Sequence, residues 1–313
     1  MSTEPADPPK KRYTPHPTLC VPPTTLTDCN IPIASMHPPL RGLYARGNLS
    51  LLERPCLAIV GSRRASAQGV QDALWFATEA AHAGLVIVSG LAVGIDAAAH
   101  RGALGVPGGA TIAVLAHGLD QVYPTRHRAL SDQILSQGGL LLSEYPDGTA
   151  ARPFQFVHRN RIIAGVSRAV CVIEAGRGSG SLITALNALE LGRDVFAMPG
   201  SIHTPLSAGA HQLIRQGAGL VTTPEELLLD MGIMPHRPTR QRHHEKPAAP
   251  GCEDPRVAPL LHLLGWNGQS AAALATQLRW SLQDTLVGLL LAENLGLARR
   301  LADGDWVRFQ DRQ

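Results

Sequence analysis

Three Gly/Ser turns each follow a short apolar run and open into a helix-like stretch. Gly61-Ser62-Arg63 follows residues 57–60, Ser89-Gly90 follows 85–88, and the segment 176–181 follows 170–173. Backbone N–H groups at such a turn, together with the positive end of the helix dipole behind it, favour an anion. Three seats in one domain point to a ligand longer than a mononucleotide.

Each turn carries its own candidate chemistry. In the first, Gly61 lets the backbone approach an anion, Ser62 offers a hydroxyl and Arg63 can fork onto a phosphate. The pattern is neither GxGxxG nor GxxxxGK[ST], and lysine occurs only at Lys10, Lys11 and Lys246. P-loop nucleotide hydrolysis is therefore excluded, and the acidic ribose partner of a dinucleotide site is missing. In the second, Ser89 and Gly90 precede Asp96, read as capping N–H groups near a helix start, with His100 one turn further along the same face. An Asp/His pair can serve acid–base chemistry or simply hold a helix and a hydrogen bond. In the third, Ser179-Gly180-Ser181 presents N–H and O–H groups at a helix start, and Glu174 can bind a hydroxyl or tie down the glycine loop.

Between Asp147 and Glu174 there is no acidic residue, whereas Arg152, Arg159, Arg161 and Arg168 fall there with His158, Phe154 and Phe156. Arginine suits bidentate phosphate contacts, and aromatic rings stack on bases. Basic and aromatic side chains interleaved in this way grip single-stranded nucleic acid; a solvated basic face is the plainer reading of the same run.

Around the turns, short apolar runs alternate with helical stretches. The strands expected are 57–60, 85–89, 111–115, 140–143, 169–173, 194–197 and 219–221. Helices are expected at 66–83, 95–104, 127–137, 181–191 and 210–216. Continuously apolar strands separated by helices indicate a parallel sheet covered on both faces, an α/β, Rossmann-like doubly wound fold with ligands at the carboxyl ends of its strands. Residues 1–35, rich in Pro and Thr, are expected to be irregular or disordered, and 36–231 to form the Rossmann-like domain. Residues 232–253 read as a linker, whose His243-His244 pair is a solvated feature rather than a metal site. Residues 254–313 read as three helices and a hairpin, a winged-helix-like domain. Its third helix has no basic residue to face DNA, which favours a protein-contact or accessory role.

The 313 residues include 44% hydrophobic and 17% charged residues, with a net charge of +3. No apolar run approaches the roughly 18 residues of a transmembrane helix, and 1–16 lacks the apolar stretch of a secretory signal. A cytoplasmic protein without membrane association is expected. The five cysteines are scattered and never in a CxxC pair, so neither disulfides nor zinc are expected.

Seven motifs carry a family resemblance. They are Ile59-Val-Gly-Ser-Arg-Arg, Val88-Ser-Gly-Leu-Ala-Val-Gly-Ile-Asp-Ala-Ala-Ala-His, Gly118-Leu-Asp-Gln-Val-Tyr-Pro, Leu142-Ser-Glu-Tyr-Pro, His158-Arg-Asn-Arg-Ile-Ile-Ala-Gly, Ser179-Gly-Ser-Leu-Ile-Thr-Ala and Met198-Pro-Gly-Ser-Ile. Collinear over about residues 40–229, they resemble the DNA-processing protein A family (DprA, also called Smf). The resemblance implies an extended Rossmann fold and a homodimer without catalysis or cofactor. Such a protein binds single-stranded DNA and loads the RecA recombinase on it during natural transformation. It further implies that Arg63 binds phosphate, that Phe156 contacts a base, and that Asn160 and Arg161 belong to the binding element. Ser179 and Ser181 would form the third anion turn. The stretch 209–221, with His211 and Leu220, resembles the dimerisation region. Many members begin with a small helical domain, for which 1–35 shows no pattern, and the winged-helix likeness is looser than that of the core.

Two other readings stand beside this one. A nucleoside-monophosphate N-glycosidase, with Glu174 acting on a ribose, expects a Pro-Gly-Gly-x-Gly-Thr-x-x-Glu motif, which Pro107-Gly-Gly-Ala does not continue. A small-nucleotide sensor would signal through the C-terminal domain.

Overall fold

The computed structural model describes residues 17–29, 31–234, 254–264, 269–301 and 304–308. The chain divides into two compact units, Met1–His236 and Arg237–Gln313. The division falls inside the stretch read as a linker, whose His243-His244 pair lies outside the described residues.

The first unit runs β1 (Leu19–Val21), α1 (Pro23–Asp28), β2 (Leu43–Gly47), β3 (Cys56–Val60), α2 (Ala67–His82), β4 (Val86–Ser89), α3 (Ile95–Leu104), β5 (Ala110–Leu115) and α4 (Arg128–Ser136). It continues through β6 (Leu140–Ser143), α5 (Pro153–Val166), β7 (Ala169–Val172), α6 (Gly180–Glu190), β8 (Asp194–Ala197), α7 (Ala208–Arg215), β9 (Gly219–Leu220) and α8 (Pro224–Asp230). The sheet order is β1-β2-β6-β5-β4-β3-β7-β8-β9. Every pairing from β6 to β9 is parallel, while β1 and β2 add antiparallel at one edge. The central strands are buried along their whole length, as a sheet covered on both faces requires. Strand order reverses between β3 and β7, which opens a crevice at their carboxyl ends where such sheets bind ligands.

Residues 17–29 and 31–35 correct part of one expectation, the rest of which, 1–16, lies outside the described residues. They hold β1 and α1, with Val21, Leu26 and Ile31 buried in the main core. The stretch is ordered by its neighbours: β1 pairs with β2, and Thr18 Oγ1 donates to Asp147 and accepts from Arg46. Elements of three and six residues are too short to show a hydrophobic period.

The second unit holds α9 (Val257–Leu263), α10 (Ala271–Leu278), α11 (Leu282–Asn294) and a hairpin of β10 (Ala298–Arg300) and β11 (Trp306–Arg308). Ser270 and Ser281 cap α10 and α11 through their hydroxyls, and Trp306 closes a small core with Val257, Leu260, Leu274 and Leu289. Among the described residues no helix is long and apolar enough to cross a membrane.

Candidate nucleic-acid interface

The first turn is braced from inside. Ser62 N donates to Glu174 O at 2.7 Å, Ser62 O accepts from Ile95 N, and Ser62 Oγ accepts from Arg64 N. A Cβ on Gly61 would lie 2.6 Å from Ile95 and 2.8 Å from Glu174 O. Gly61 is therefore needed for packing against α3 and the end of β7, not for an approaching anion. The start of α2 is likewise taken: both Ser66 N and Ser66 Oγ donate to the Glu174 carboxylate, at 2.9 and 2.5 Å, and Ser66 Oγ caps Gly69 N. An internal carboxylate sits where a phosphate would. What the first turn offers outward is the pair of exposed cations, Arg63 and Arg64.

The second turn is closed, which corrects its reading as a phosphate seat. Ser89 is buried and donates to Ile59 O. Gly90 N and Ala92 N both donate to Asp96 Oδ2, and Gly90 O accepts from Arg159 Nη1 at 2.6 Å. Asp96 lies inside α3 and holds the preceding loop rather than capping its own helix, whose cap is Gly94. Leu91 has a φ of 57°, and histidines hold both its backbone groups: its N–H donates to His100 Nε2 and its carbonyl accepts from His127 Nδ1. Thr111 Oγ1 donates to Ile87 O, so it accepts from His100 Nδ1–H, which fixes the neutral tautomer. Burial pushes the His100 pKa down to about 3. Asp96 and His100 are thus both bound to this loop, which answers the acid–base alternative in favour of structure.

The third turn is open. Ser179 caps α6, its Oγ lying 2.8 Å from Ser181 Oγ, and Cβ atoms built on Gly178 or Gly180 would meet nothing within 4 Å. Asn160 Nδ2 donates to Gly180 O at 3.0 Å, tying α5 to the start of α6. Arg177 stands exposed beside it.

These groups surround one cavity of about 660 Å³ at the crevice between β3 and β7. Of the residues expected at the site, Gly61, Ser62, Arg63, Asp96, Phe156, Asn160, Ser179, Gly180 and Ser181 line it. Arg152 does not; it is exposed at the N-cap of α5, with its N–H bonded to Gln155. Arg161 does not either, a further correction: it is buried, and its Nη2 donates to Glu144 Oε1 at 2.5 Å, away from the cavity. His211 bonds to Gly200 O, and Leu220 is 50% exposed on the edge strand β9.

Sequence reasoning missed Arg64, Tyr123 and Arg177 as cavity-lining residues, and it named Arg159 only as one member of the basic run. Arg159 is 4% exposed, donates to Gly90 O and Val114 O, and has its pKa lowered to about 10 by burial, against the pull of Asp96. It stays charged at neutral pH, a fixed cation at the cavity wall. Burial raises the Asp96 carboxyl, and Arg159 opposes that shift. At the mouth, the Phe156 ring lies 5.2 Å from Arg63 Cζ and 5.5 Å from the Tyr123 ring. The arrangement offers exposed guanidinium groups, an open helix start and aromatic rings on one concave surface.

A family model for DNA recombination-mediator protein A matches residues 24–232, most of the first unit. The chain belongs to that family. Relatives include Protein Smf of Escherichia coli, 50% identical over 59% of this chain and 50% of its own length. DNA processing protein DprA of Streptococcus pneumoniae is 50% identical over 60% of this chain and 66% of its own length. The chain thus spans about half to two thirds of these curated relatives. Among solved structures, DNA processing protein A from Streptococcus pneumoniae matches with a TM-score of 0.62 and 45% identity, covering 70% of this chain and 76% of its own. The same protein from Helicobacter pylori, studied for its single-stranded DNA binding mode, matches with a TM-score of 0.59 and 30% identity, over 69% and 95% of the two chains.

Proposed function

We propose that this chain is a non-catalytic mediator that binds single-stranded DNA through the cavity at the β3–β7 crevice. The observation that carries the reading is the meeting of Arg63, Arg64 and Arg177 with Phe156 and the open start of α6 on one surface. Cations there track the phosphates and the ring addresses a base. Of the three turns, the first supplies arginines, the second braces the floor and the third holds an anion. In the same reading the protein is a cytoplasmic homodimer, paired across the β9 edge near Leu220 and His211. It passes the strand to the RecA recombinase during natural transformation. The C-terminal unit, a winged-helix-like module, serves protein contact.

A titration with fluorescent oligo-dT of a few tens of nucleotides, against duplex of equal length, tests the reading. Oligo-dT is expected to bind far more tightly, with affinity falling as salt rises. Equal affinity for duplex overturns it. Adding RecA to the bound oligonucleotide tests the hand-over.

A further inference from the structure

Tyr123 stands in the segment between β5 and α4. Its side chain is 53% exposed, yet it lines the cavity. Its ring centroid is 5.5 Å from that of Phe156, and the two planes are inclined at 56°. Phe156 is partly buried and is in contact with the Arg63 guanidinium. Of the two rings, Tyr123 has the freer surface.

That geometry constrains a ligand. The rings are tilted and stand further apart than the rise of about 3.4 Å per nucleotide in a stacked strand. One base cannot lie flat on both, and two bases stacked on each other do not match the spacing. Two neighbouring bases splayed apart, each on its own ring, do.

Resting on the single-stranded DNA reading, we propose that Tyr123 is a second base-stacking residue and that the mouth takes a splayed two-nucleotide step. An aromatic contact of this kind tolerates any base, because every base has a π-face.

The test uses the full chain and its Tyr123→Ala and Tyr123→Phe variants, each checked for wild-type circular dichroism. Each is titrated with oligo-dT and with an abasic oligonucleotide of equal length. Tyr123→Ala is expected to weaken oligo-dT binding roughly 5- to 150-fold, and Tyr123→Phe to stay near wild type. All three proteins are expected to bind the abasic strand alike. Unchanged oligo-dT affinity in Tyr123→Ala overturns the proposal. So does an equal loss on both strands, which marks a ring that only supports the phosphate-binding arginines, and so does a Tyr123→Ala loss that disappears in the Phe156→Ala background, which marks a ring that only braces Phe156. Failure of the wild type to bind oligo-dT is a different result and overturns the parent reading.

Discussion

The Arg63 guanidinium carbon lies 5.2 Å from the centroid of the Phe156 ring, so the cation and the aromatic at the cavity mouth form one unit. Each orients the other, a contact worth about 0.5–1 kcal/mol at a partly exposed site. Arg63→Ala and Phe156→Ala are therefore expected to be non-additive in oligo-dT affinity, the double variant losing less than the two single losses combined. Arg63→Ala should also flatten the salt dependence by about 0.7 in log–log slope, the share of one lost phosphate contact. Four binding curves at two salt concentrations decide both points.

Arg161 separates stability from binding. Its guanidinium bonds to Glu144 and stays out of the cavity. Arg161→Met is expected to lower unfolding free energy by about 1.5–3 kcal/mol, the range for a hydrogen bond to a charged group. Urea denaturation measures the loss. Oligo-dT affinity of the folded variant should match wild type, and a large drop would return Arg161 to the binding surface.

Two glycines at helix starts should respond in opposite ways. A Cβ on Gly69 would stand 2.3 Å from the Glu174 carboxyl carbon and push it off Ser66. Gly69→Ala is expected to cost at least about 1.5 kcal/mol, the lower value for a hydrogen bond to a charged group. Gly180→Ala meets open space and should leave stability unchanged or slightly higher, because alanine is the better helix former. Yet on the single-stranded DNA reading it should weaken binding, since the added methyl covers the open third turn.

His100 has a defined pH signature. Its pKa is pushed down to about 3, below its ordinary value of 6.5. The unfolded chain thus binds a proton between those limits and the native state does not, so this group's contribution to stability falls as pH drops from 6.5 toward 3. Asp96, whose carboxyl is raised, acts in the opposite sense across the range above its ordinary 3.8. A long-range ¹H–¹⁵N spectrum at pH 5 should show His100 neutral with its proton on Nδ1. A titration midpoint near 6.5 would contradict the buried geometry.

Much of this architecture is legible in the residues. The strands from β3 to β8 are apolar runs bounded by turns, and α3 begins and ends where its pattern does, at Ile95 and Leu104. β2 escaped because Leu-Tyr-Ala-Arg-Gly mixes core and surface positions within five residues. The helix α5 escaped for a deeper reason: its buried face includes Gln155, Arg159, Asn160 and Arg161. A polarity pattern assigns such side chains to water, whereas here carbonyls and a carboxylate receive them. The same blindness explains the site. Arg63, Phe156 and Ser179 are visible from type and context, but nothing local says that Arg161 points away, that Arg159 points inward, or that Glu174 occupies the seat in front of α2.

The cavity wall is drawn from residues as far apart as Val60 and Leu206, carried by the end of β3, the loop that follows β7, the body of α5, the start of α6 and other loops around them. A ligand that bridges those walls acts as a removable staple between these elements. At a hundredfold excess over its dissociation constant it would add about 2.7 kcal/mol to the unfolding free energy by mass action. On the single-stranded DNA reading, the melting temperature of this protein becomes a gauge of bound strand.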